Sequence, residues 1–257
     1  MLRAVLWIAM LTLPAAQAGV VSFLDETFLD ADWSTVVVQQ DAGTSHTING
    51  QIASGGNPGA YRQQTLSSLG LPGGTTAGVN IASFRNLFTF DPSANGAIQS
   101  LNFSYDLAFL ASPTSTAGFF RPYIRQNGFI FGIAGVNNSA AGAWQTFQNT
   151  STGASDWLEV TGSGSLPDFS ASGGLIEFGY RTAVTFGCSL TTTCPPFDIV
   201  SGIDNYRVTV NFQDAGTAIP EPSTYALFGS ALLAGVLWRR RRIATDRDPG
   251  ATGLGRG

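Results

Sequence analysis

The sequence predicts an all-β fold, an antiparallel sandwich of two sheets, and three observations carry that prediction. Apolar and polar residues alternate with period two over several short stretches, an Asn-Gly pair separates two such stretches, and no amphipathic helix of useful length appears between residues 19 and 217. Over 101–109, Leu101, Phe103, Tyr105, Leu107 and Phe109 share one face, while Asn102, Ser104, Asp106 and Ala108 share the other. A strand so patterned turns one face to a core and the other to water. The alternation returns at Ile176, Phe178 and Tyr180 against Glu177 and Arg181, and at Tyr206, Val208, Val210 and Phe212 against Arg207, Thr209 and Asn211. Asn127-Gly128 suits the positive φ angles of a type I′ turn, so 119–126 and 129–134 read as a hairpin. Shorter strands are expected at 33–40, 45–52, 59–66, 87–90, 144–150 and 157–160. Many short strands between Gly, Pro and Asn clusters give a jelly-roll-like β-sandwich, with a closed barrel as the alternative.

Each end of the chain carries a different kind of segment. Arg3, an apolar run over 4–13, Pro14 and the small residues Ala16 and Ala18 follow the order of a cleavable signal peptide, with cleavage expected after Ala18. The run is too short for a membrane span of roughly 20 residues. Residues 225–238 are apolar almost throughout and lead directly into Arg239, Arg240, Arg241 and Arg242. Such a cluster stays cytoplasmic, so the preceding domain is expected across the membrane. The expected transmembrane helix would be about 21 Å long at 1.5 Å per residue, shorter than a hydrocarbon core of about 30 Å. That length suits transient retention better than permanent anchoring.

Immediately before this helix stands Pro220-Glu221-Pro222. A Pro-Glu-Pro motif, an apolar helix and an arginine cluster, in that order over 219–242, resemble the PEP-CTERM sorting domain of Gram-negative bacteria. The resemblance implies recognition of Pro220, Glu221 and Pro222 by exosortase, a membrane-embedded peptidase, after export through the inner membrane to the cell envelope, surface or extracellular matrix. Two prolines hold such a segment extended and off-helix, accessible to a protease. The chain continues past the arginines through 243–257, a Gly-, Asp- and Arg-rich tail read as disordered. The expected organisation is a signal peptide over 1–18, a β domain over 19–217, a sorting signal over 218–242 and the tail. Signal peptidase, exosortase and the inner membrane are the expected partners.

Charge narrows the domain's function. Residues 19–217 hold fourteen acidic residues against six arginines, and the whole chain lacks lysine. No basic patch is available to displace counterions from phosphates, so nucleic acid is not an expected partner. Cys188 and Cys194 are the only cysteines, and in an oxidising compartment they are expected to form a disulfide.

No residue of the sequence stands out as catalytic. Glycoside hydrolysis needs two carboxylates facing each other across a cleft, and the sequence does not bring any two together. His46 is the sole histidine and has no Gly-x-Ser-x-Gly elbow beside it. The pair Asp204-Asn205 entering the last strand resembles the closing strand of carbohydrate-binding jelly rolls. That resemblance implies a structural calcium at Asp204, with Asp25 and Glu26 supplying further oxygens; the plainer alternative is a turn held by Asp204 and Asn205 side chains. Trp144, with Gln145 and Gln148 near it, is the first choice for a glycan contact. The expected function is therefore that of an exported structural or glycan-associated protein without enzymatic activity, with exopolysaccharide as partner. A secreted polysaccharide-degrading glycoside hydrolase is the alternative.

Overall fold

The period-two stretches become twelve strands in the computed structural model, which describes residues 18–111, 118–140 and 142–214. In chain order they are β1 (Ala18–Asp25), β2 (Trp33–Gln40), β3 (Thr44–Gly56), β4 (Gly59–Ser68), β5 (Thr76–Phe90), β6 (Gly96–Ala111), β7 (Gly118–Gln126), β8 (Phe129–Ile133), β9 (Gln145–Ser151), β10 (Trp157–Glu159), β11 (Ile176–Gly187) and β12 (Phe197–Asp214). Helical structure among the described residues is limited to the four-residue α1 (Pro92–Asn95) and two short 3-10 turns.

The strands form two antiparallel six-stranded sheets. Sheet A runs β3-β4-β12-β6-β9, with β1 also paired to β12, and sheet B runs β10-β8-β7-β11-β5-β2. From β4 to β5, β6 and β7 the chain passes from one sheet to the other at every step. This is the expected sandwich with a jelly-roll-like crossing pattern, not a closed barrel. The Asn127-Gly128 hairpin forms as expected, both residues having positive φ (53° and 83°).

Three stretches escape the alternation rule. In β1, Phe23 and Val21 pack on the core, but Val20 and Leu24 are exposed apolar residues that blur the pattern. The first part of β5 is buried on both faces: Val79 and Ile81 enter the main core, while Ala82 and Phe84 join Tyr123 and Ile130 in a second cluster. A strand covered on both sides reads as a continuous apolar run. The start of β12 has the weak pattern Ser201-Gly202-Ile203-Asp204.

Between the sheets the core is aromatic. Trp33 meets Tyr180 at 5.4 Å and Tyr206 at 5.7 Å between ring centroids. The phenols of these two tyrosines have partners, since Gln64 donates to the Tyr180 hydroxyl and the Tyr206 hydroxyl donates to the Gly179 carbonyl. The disulfide Cys188–Cys194 forms as expected, with Cα atoms 5.7 Å apart, in the loop between β11 and β12.

A buried ion pair joins the sheets. Asp25 ends β1 in sheet A and is 2% exposed; Arg85, in β5 of sheet B, donates Nε to Asp25 Oδ2 at 2.7 Å. The Trp33 indole N–H donates to the same oxygen, and the Thr27 and Phe28 N–H groups donate to Oδ1. Asp32 closes the network through Arg85 Nη2 at 2.8 Å. Burial pushes the Asp25 carboxyl pKa up, but the Phe28 and Thr27 amides and the Arg85 charge outweigh it, so the net direction is downward. A carboxylate with a lowered folded pKa adds stability that is complete above its unfolded value of 3.8 and is lost as pH falls through the folded value. Removing one partner of a buried pair costs about 3–5 kcal/mol. Asp25→Asn is thus expected to lower the melting temperature sharply at pH 7. Over the acid range the variant should lose less further stability than the parent, and parallel acid profiles in calorimetry would overturn this role for Asp25.

Candidate functional site

The outer face of sheet A collects the polar side of β12, β6 and β9. Register places Arg207 opposite Ser104, Thr209 opposite Asn102, and these β6 residues opposite Gln148 and Thr150 of β9. Together they line a shallow groove of about 230 Å³. Its side chains are planar amides, hydroxyls and one guanidinium, the groups that hydrogen-bond to neutral polyols.

Trp144 stands just before β9, half-buried, at the other end of this face. Its ring meets Tyr61 edge-on at 5.3 Å and its indole N–H donates to the Gly55 carbonyl at 3.0 Å. Both rings lie over Gly202, where a Cβ would come within 2.7 Å of Trp144 and 2.9 Å of Tyr61. The glycine therefore creates the seat for the aromatic pair. Gln148 shares the outer face with the groove, but Gln145 pairs with Leu107 and has the opposite parity along β9. The strand separates the two glutamines that the sequence places together. Tyr61, which the sequence reading did not single out beside Trp144, becomes its partner only through the β4–β12 pairing.

Between the groove and the aromatic pair lies a buried acidic pair. Asp204 and Asp106 are directly opposite each other on β12 and β6. Asp204 accepts from the Asn57 and Asn205 N–H groups; Asp106 accepts from Thr146 Oγ1 and from the Asn57 and Asn205 side-chain amides. Burial pushes the Asp204 pKa up, and the neighbouring carboxylates Asp106 and Glu26 add to this against the two amide donors. Asn205 reaches this position at φ 50°, in the left-handed region that Asn tolerates better than most residues.

The ligand set expected for calcium does not fit. Asp25 directs both oxygens to Arg85, Trp33, Thr27 and Phe28, so it serves the ion pair between the sheets. Asp204 and Glu26 sit close enough to influence each other, but Asp204 is closed in by amide donors. Among the described residues, no three His, Cys, Asp or Glu side chains gather where they could hold a metal ion.

Two glutamates and the sole histidine have local partners. The Ser163 and Thr161 hydroxyls outweigh the slight desolvation of Glu159 and hold its pKa down to about 2. Glu177 pairs with Arg125. His46 accepts or donates one hydrogen bond with exposed Gln40 and meets no acid.

A second, larger groove of about 320 Å³ crosses the outer face of sheet B, lined among others by Gln39, Asp41, Asn80, Arg181 and Thr185. Ala16 of the expected cleavage site, the motif Pro220-Glu221-Pro222, the apolar run 225–238, Arg239–Arg242 and the tail lie outside the described residues. Ala18 is described and opens β1, paired with Gln213. No helix of the described residues is long and apolar enough to cross a membrane.

Comparison with known proteins falls into two parts. The domain is similar to the family 11 carbohydrate-binding module from Clostridium thermocellum, solved with a β-1,3-1,4-mixed-linked tetrasaccharide, at 11% identity and TM-score 0.40, over 76% of this chain and 96% of that one. It is also similar to a family 22 xylan-binding domain from Paenibacillus barcinonensis, at 8% identity and TM-score 0.34, over 79% and 99%. No curated protein sequence matches the chain. At the other end, residues 218–242 match the PEP-CTERM protein-sorting motif, so the chain carries, after an antiparallel β-sandwich, the sorting signal that its Pro-Glu-Pro, apolar and arginine segments spell out.

Proposed function

We propose that this protein is exported, sorted by exosortase and displayed at the cell envelope or in the extracellular matrix, where its β-sandwich serves as a non-enzymatic, glycan-associated surface. The PEP-CTERM motif over 218–242 carries this reading, because it implies export and cell-surface association. The expected signal peptide agrees with that route in topology. Polar, nearly uncharged side chains across sheet A support a polysaccharide partner, since amides and hydroxyls on a rigid sheet can replace the water around sugar hydroxyls without burying charge. Trp144 and Tyr61 place an aromatic pair on the same face.

Two outcomes are expected. In cells with active exosortase, mass analysis of the mature protein should show loss of residues 1–18 and of the apolar segment 225–238, and an intact C-terminus would overturn processing. Trp144→Ala should weaken binding to the producing organism's own exopolysaccharide, by about tenfold if the indole contributes roughly 1.4 kcal/mol. Unchanged affinity, measured by titration calorimetry on a variant of confirmed fold, would remove Trp144 from the contact.

A further inference from the structure

The arginines divide into two groups. Arg62 pairs with Asp30, Arg85 with Asp25 and Asp32, and Arg125 with Glu177. Arg121, Arg181 and Arg207 have no carboxylate partner among the described residues. In a domain so rich in acids, cations left without a counterion are conspicuous, and two of the three face each other. Arg181 of β11 is directly opposite Arg121 of β7 on the outer face of sheet B. Like charges directly opposite across a ladder destabilise it, so the free protein holds this pair at a cost.

The surroundings satisfy Arg121 but not Arg181. Arg121 leans on the following loop, donating to the Val136 carbonyl and the Asn137 side chain. Arg181 Nε is buried without a hydrogen-bond partner, and so are Asn80 Oδ1 and the hydroxyl of Tyr123, a fully buried side chain between β8 and β11. Tyr123 and the Arg121 stem lie together over Gly132. Arg181 and Asn80 both line the 320 Å³ groove. The acids nearby are already engaged: Asp41, at the groove, by Gln39 and the Gly78 N–H, and Glu177 by Arg125. Ala183 lies among the polar side chains that line the groove. A guanidinium without a carboxylate, with its Nε unpartnered, at a preformed groove makes a site that lacks an anion.

We propose that this face of sheet B is a second binding site, taking the carboxylate-bearing sugar units of an acidic polysaccharide, with Arg181 as the anchoring residue and Arg121 beside it. The assignment of a saccharide rests on the proposed glycan-associated function; the assignment of negative charge rests on the arginine pair. A guanidinium matches a carboxylate in a planar, two-pronged geometry. Asp41 at the groove sets a limit on ligand charge, favouring a singly charged carboxylate over a dianionic phosphate. Asn80, Gln39 and Thr185 are placed to meet ring hydroxyls. A volume of about 320 Å³ suits a short stretch of a sugar chain better than a large compact ligand.

The test is affinity electrophoresis of the full chain, in a non-ionic detergent without a sugar head group, through gels containing polygalacturonate, dextran sulfate, neutral dextran or the organism's own exopolysaccharide. The parent should be retarded most by polygalacturonate, less as salt is raised, and Arg181→Gln should weaken that retardation about tenfold. Arg181→Gln should melt no lower than the parent, because it relieves the like-charge pair; if it melts lower, Arg121→Gln serves as the variant for the same comparison. Equal retardation of parent and arginine variants by polygalacturonate, or stronger retardation by dextran sulfate, overturns the carboxylate site. If the parent still binds neutral dextran or the organism's polysaccharide, only this site falls. If no polymer retards the parent, the glycan-associated reading falls with it.

Discussion

The Asp25–Arg85 ion pair is the contact on which the sandwich depends. It stands where the first strand of sheet A ends and its oxygens meet donors from β2 and β5 of sheet B. Both partners are almost fully buried, so each would be costly without the other. Hydrophobic burial alone holds two sheets together without fixing how they are aligned. A charged pair with five donors on one carboxylate has one satisfactory arrangement, and it places β1 over the β2–β5 end of sheet B.

Around that fixed corner the two outer faces differ in chemistry. Sheet A offers amides, hydroxyls and the Trp144–Tyr61 pair, whereas sheet B offers opposed arginines beside a polar groove. The arginines that face carboxylates support the architecture. Those that do not line the grooves or stand beside them, as Arg207 does on sheet A and Arg181 on sheet B. Charge in this acidic domain is thus divided between holding the fold and shaping its surface.

Much of the fold is legible in the sequence because half-buried strands alternate, as β6 and parts of β11 and β12 do clearly, and because Asn127-Gly128 marks the turn between β7 and β8. Where burial is two-sided, as at Ala82 and Phe84 in β5, the alternation disappears, and only the end of that strand, 87–90, is expected from the sequence. Sites are harder to read because they are assembled by pairing between distant segments. Trp144 was visible as an aromatic near glutamines, yet Tyr61 and Gly202 complete its setting only through β4 and β12. Asp25 looked like a cation ligand, since an acid near the start of the domain has no visible partner until Arg85 folds over it, sixty residues later. Arg121 and Arg181 are ordinary polar-face residues until register brings them opposite one another. By contrast, the sorting motif is linear, so order along the chain was enough to identify it.

The position of β12 has a consequence in time. It pairs with β4, β1 and β6, yet it is the last strand, whereas every strand of sheet B has appeared by Gly187. A chain delivered N-terminus first therefore presents one sheet complete and the other split down its middle, with β1, β3–β4 and β6–β9 waiting for a common neighbour. Non-local pairings of this kind are slow to form. Only 215–217 separate the end of β12 from the sorting motif at 218–242. The strand that completes sheet A and the sorting motif are thus neighbours in the chain, and sheet A can close only when the end of the domain nearest that motif is available.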